Sequence, residues 1–125
     1  MQATTMLSNT KPPAELLKKI KVQTGVVRRI SKDLSYYDEE AITQQKRIDK
    51  LIADGADEHD IRKQKEVLEE THVMMPDGKK RLARAQEELQ ELLDKYLGAV
   101  DHEAATSEEV LAAKSLLQTL QTIIV

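Results

Sequence analysis

Cysteine, tryptophan and phenylalanine are all missing from this 125-residue sequence, and tyrosine occurs three times. Without cysteine there is no disulfide framework, no thiolate metal site and no cysteine nucleophile. Aromatics at 2% leave out the side chains that carry the largest buried areas. The core must therefore be built from Leu, Ile, Val, Met and Ala. Four glycines and three prolines supply few turns, a composition that fits a few long helices. Long apolar runs are lacking as well: no stretch approaches a membrane span, and "MQATTMLSNTKPP" at the start has no apolar core of a signal peptide. The expectation is a cytoplasmic protein that binds no membrane. A net charge of −3 gives no overall attraction to nucleic acid, and three tyrosines make a poor stacking platform for single strands.

What is present is a helical periodicity. Residues 1–12 are polar and aperiodic and read as a disordered N-terminal arm. Pro12 and Pro13 mark a helix entry, where a missing N–H has no partner to lose. Leu16, Ile20, Gln23, Val27, Ile30, Leu34, Tyr37, Ala41, Gln44, Ile48 and Leu51 then step by four and three, the heptad seam of a helix packed along its length. Gly25 lies inside this series, and the phase holds across it. "DGADEHD" (residues 54–60) reads as a turn, with Gly55 closing one helix and Asp57 capping the next. The second series is Ile61, Gln64, Leu68, Thr71, Met75, Gly78, Leu82, Ala85, Leu89, Leu92 and Tyr96. A third, short helix carries Val110, Ala113, Leu117, Leu120 and Ile124, and Thr106 with Glu109 reads as its capping box.

The prediction is an all-α fold: an antiparallel three-helix bundle, spectrin-like and coiled-coil-like. Its helices are expected at 14–53, 57–97 and 107–123, in a single domain spanning 13–125. "MPDG" (residues 75–78) has the chemistry of a type I turn and would split the second helix. Leu68, Met75, Leu82 and Leu89 nevertheless stay in step through it, which favours one helix kinked at Pro76. There the proline removes a hydrogen bond and presses on the preceding turn. Ile124 continues an apolar face, so "TIIV" at the C-terminus is expected to pack on the bundle.

Signals of catalysis are absent. There is no phosphate-cradling loop, no GxSxG and no HExxH. His59, His72 and His102 are not at ligand spacing from one another, and the many carboxylates read as solvated helix faces. No catalytic, cofactor or metal residue is assigned. Charge instead comes in blocks. Residues 11–32 carry seven basic and one acidic residue, residues 33–60 three and nine, residues 61–84 seven and four, and residues 85–125 two and eight. Folding the first two helices back at the turn brings residue i level with roughly residue 111 − i, given equal rise on both helices. Lys18, Lys19 and Lys21 then come level with Glu87, Glu88 and Glu91. In the middle, Arg28, Arg29 and Lys32 come level with Lys79, Lys80, Arg81 and Arg84. These seven cations are either side chains splayed into solvent or a docking patch for an acidic protein surface. The same register sets Tyr36 and Tyr37 beside Pro76.

At "VQTGVVRR" (residues 22–29), "DIRKQKEVLEET" (60–71), "MMPD" (74–77) and the "KKRL" that follows, the sequence resembles the tubulin-binding cofactor A family. The resemblance covers about Ile20 to Leu92. It implies a three-helix bundle and a chaperone, not an enzyme. It also implies that β-tubulin leaving the cytosolic chaperonin is the partner, passed on indirectly to other tubulin-folding cofactors that assemble the αβ heterodimer. No cofactor is implied, and a cytoplasmic, cytoskeleton-associated location is. The alternative that the residues alone leave open is a coiled-coil adaptor that dimerises through its long seam.

Overall fold

In the computed structural model α1 runs over Pro13–Ala53, α2 over Glu58–Ala99 and α3 over Glu108–Ile124. The structure describes residues 13–100 and 107–124, with side-chain surroundings through residue 121. The expected N-terminal arm, His102, Thr106 of the expected capping box and the packing of the C-terminal "TIIV" lie outside the described side chains. The fold is all-α, a three-helix bundle, and each helix lies within two residues of its predicted bounds. Proline opens α1, as its fixed φ and missing donor favour. α1 closes through a Schellman pattern: Ala56 N–H donates to the Leu51 carbonyl at 3.0 Å and Gly55 N–H to that of Ile52 at 3.2 Å. Gly55 holds φ at 70°, a conformation in which any Cβ is strained. The Asp57 carbonyl accepts from Ile61 N–H at 3.1 Å and the Ser107 carbonyl from Leu111 N–H at 3.0 Å. Asp57 and Ser107 therefore stand at the N-caps of α2 and α3.

The chain divides into two compact units, Met1–Arg28 with Arg84–Val125, and Arg29–Ala83. In the first, parts of all three helices share a core. Ile20, Val27, Val110 and Ala113 are wholly buried, as is Leu89, with Leu16, Leu93, Tyr96, Leu117 and Leu120 beside them. Leu93 and Thr24 are buried although both lie off the seam. A helix packed by two neighbours needs a wider apolar stripe than one packed by a single partner. Thr24 satisfies its hydroxyl on the carbonyl of Ile20 at 2.7 Å.

The second unit is a two-helix hairpin. Its seam residues Leu34, Tyr37, Ala41, Leu68, Thr71 and Met75 are half-buried, while Gln44, Ile48, Gly78 and Leu82 are buried. Gln44 donates to the Gln64 carbonyl at 3.1 Å, which joins the helices by a polar rung. α2 passes through Pro76 unbroken and is kinked there. Gly78 explains its own place in the helix: a Cβ on it would sit 2.5 Å from Cδ2 of Leu34. The glycine thus lets the Leu34 side chain approach the α2 backbone. This contact and the Gln44–Gln64 rung keep the predicted register to within a turn and put Pro76 at the level of Tyr36. The seam of α1 is filled by α2 of the same chain, so a seam-mediated adaptor dimer would have to displace that packing.

Candidate docking surface

Side chains off the seam are what the fold leaves for a partner. In the three-helix unit Arg28 and Arg84 are exposed. Arg28 lines a shallow cleft with Lys21, Thr24, Glu108, Glu109 and Ala112. The first turn of α3 thereby supplies the acidic company that a two-helix reading of Arg28 lacks. A second cleft is lined by Glu15, Lys18, Lys19, Val22, Gln23 and Leu92, with Val22 standing 68% exposed. Gln23 spans the helices there, donating to the Ala85 carbonyl at 3.0 Å and to a Glu88 carboxylate oxygen at 3.3 Å. Level placement of Lys18 and Lys21 with Glu87, Glu88 and Glu91 does not draw them into ion pairs. Among the described residues one pair closes within 4.0 Å, Arg81 with Asp77 at 3.9 Å. Exposed lysines gain too little Coulomb energy to offset the ordering of long side chains.

In the hairpin unit Arg29, Lys32, Lys79, Lys80 and Arg81 are all exposed. At about 100° per residue they point in different directions. Arg29 and Arg81 flank the seam on one side, Lys79 flanks it on the other, and Lys32 and Lys80 face outward. The structure brings only Arg29 and Arg81 of this group onto one face. The same unit exposes Tyr36, Ile42, Ile52, Val67, Val73 and Met74, each by about half or more. Periodicity carries a signal for these, since all lie off the seam. Ring packing steadies Tyr36: its centroid is 6.1 Å from that of Tyr37 in an edge-on contact. Among the described residues no group of three or more His, Asp or Glu is arranged to hold a metal, and no helix is long and apolar enough to cross a membrane.

Comparisons with known proteins supply the family. Residues 15–117 match the family model described as tubulin binding cofactor A. The chain is 36% identical over 105 residues to tubulin-specific chaperone A of Gallus gallus, covering 84% of this chain and 93% of that protein. It is 33% identical to the Homo sapiens protein of the same name over the same shares. Among solved structures, tubulin folding cofactor A from Arabidopsis thaliana superposes with a TM-score of 0.78 at 27% identity, covering 87% of this chain and 98% of that one. The human tubulin chaperone cofactor a gives 0.68 at 34% identity, covering 85% and 98%.

Proposed function

The chain belongs to the tubulin binding cofactor A family, and from that premise we propose that it binds β-tubulin released from the cytosolic chaperonin and holds it for αβ-heterodimer assembly. Its role is that of a tubulin-folding cofactor, a non-catalytic chaperone. The observation that carries this reading is the family match across 15–117, which spans parts of all three helices. Later tubulin-folding cofactors receive the bound chain, and the work is done in the cytoplasm beside the microtubule cytoskeleton.

Arg28, Arg29, Lys32, Lys79, Lys80, Arg81 and Arg84 serve this function by their field. Apart from Arg29 and Arg81 they are splayed and make a poor contact patch, but together they raise the rate at which an acidic protein arrives. The test is co-elution of the protein with β-tubulin from a chaperonin folding reaction, followed by association kinetics across a salt series. Capture is expected, with an association rate that falls as the Debye length shrinks below about 8 Å. Failure to capture β-tubulin at physiological salt would overturn the reading.

A further inference from the structure

In the hairpin unit the residue just before each seam position, on α1 and on α2, falls on one flank. Two antiparallel helices turn these positions to the same side of their shared seam. Across this flank like meets like. Arg29 is level with Arg81, and Asp33 with Asp77. Tyr36 is level with Met74, and Glu40 with Glu70. Thr43 is level with Val67, and Arg47 with Lys63. The levels hold to within about two residues, roughly 3 Å of rise, under the register set by Leu34 on Gly78. All of these side chains are exposed. The flank is thus banded along its length: basic, acidic, apolar, acidic, mixed apolar, basic. The outer bands stand roughly 27 Å apart, eighteen residues of helix.

The opposite flank shows that banding is not forced by the fold. There Ile42 comes level with Glu69, Gln45 with Lys65 and, as opposite charges, Asp49 with Arg62. A hairpin selected only for its own stability would use such pairs on both sides, because like charges facing each other across two helices cost a little and return nothing. The one ion pair closed on the banded flank, Arg81 with Asp77, joins neighbours along α2 and leaves both side chains more than half exposed. Tyr36, in edge-on contact with Tyr37, and Met74 stand level as an apolar centre, 57% and 49% exposed. Rigid aromatic and adaptable thioether side chains at the middle of a charged strip are the usual anchors of a protein interface.

We propose that this banded flank is a docking strip for an amphipathic α-helix on the tubulin chain. That helix would carry acidic residues at its two ends, basic residues inside them and an apolar side chain over Tyr36 and Met74. The proposal rests on the tubulin reading above and assigns its contact surface. A helix of about eighteen residues spans the roughly 27 Å between the outer bands, and opposite charges along it would meet each charged band. A second copy of this chain does not. Laid parallel in register it sets like charge on like. Turned end for end it sets basic bands on basic bands and acidic bands on apolar ones.

Two double variants test the assignment: Tyr36→Ala with Met74→Ala on the banded flank, and Ile42→Ala with Val73→Ala away from it. The second pair matches the first in apolar exposure. Binding to β-tubulin from a chaperonin reaction, helicity and the unfolding midpoint are measured for both and for the parent. The banded-flank variant is expected to bind at least tenfold more weakly at unchanged helicity and midpoint, and the other to bind within twofold of the parent. Equal binding by both variants, or equal losses, with a parent that binds normally overturns the strip and leaves the tubulin reading standing. A parent that binds no tubulin overturns both. A parent that sediments as a dimer, broken only by the Tyr36 and Met74 changes, overturns the helix occupant in favour of a second copy.

Discussion

Gly25 and Gly78 look alike in sequence, single glycines inside a long helix, and their surroundings separate them. A Cβ on Gly25 meets nothing within 4 Å, while one on Gly78 meets Cδ2 of Leu34 at 2.5 Å. Gly25→Ala is therefore expected to stabilise the protein by about 0.5–1 kcal/mol, the difference in helix propensity. At Gly78 the same gain is opposed by the displaced leucine. Gly78→Ala should yield no stabilisation, and Gly78→Val should cost about 1–3 kcal/mol through overpacking and poorer propensity. Urea unfolding of the three variants checks this, and a stabilised Gly78→Val would show that Leu34 moves aside freely.

Elements differ in how far a neighbour covers them. Leu89 of α2 sits in the three-helix core and is fully buried, whereas Leu68 of the same helix is half-buried in the hairpin. Leu89→Ala is expected to cost about 2–5 kcal/mol, and Leu68→Ala about half as much in proportion to the apolar area it removes from water. Equal losses in thermal unfolding would mean that the hairpin seam packs as tightly as the three-helix core. Pro76 is exposed and lies inside α2, where it forgoes one backbone hydrogen bond. Pro76→Ala should raise stability by up to about 3 kcal/mol, read as a higher unfolding midpoint.

For the whole molecule, the reading of 13–125 as a single domain predicts one cooperative unfolding transition. The check is to follow helicity together with tyrosine fluorescence in a Tyr96→Phe background, where Tyr36 and Tyr37 alone report the hairpin, and both signals should change in one step. Separate transitions would mean that the hairpin and the three-helix unit unfold independently. The helices, their bounds and the seam were legible in the sequence. A packed helix repeats its buried contacts every three and four residues, and every described residue of all three apolar series is buried or half-buried. Passage through Pro76 was legible in the same way, because a turn would have broken the phase. Three things were decided only by tertiary structure. Leu93 and Thr24 are core although both lie off the seam; Thr24 shares a cleft with the first turns of α3, and the phase of one helix does not say where another will lie. Arg28 gained Glu108 and Glu109 as neighbours for the same reason. The like-with-like banding around Tyr36 and Met74 exists only once the hairpin register places α2 beside α1. Periodicity is a property of one chain segment, whereas a face shared by two helices depends on how they are paired.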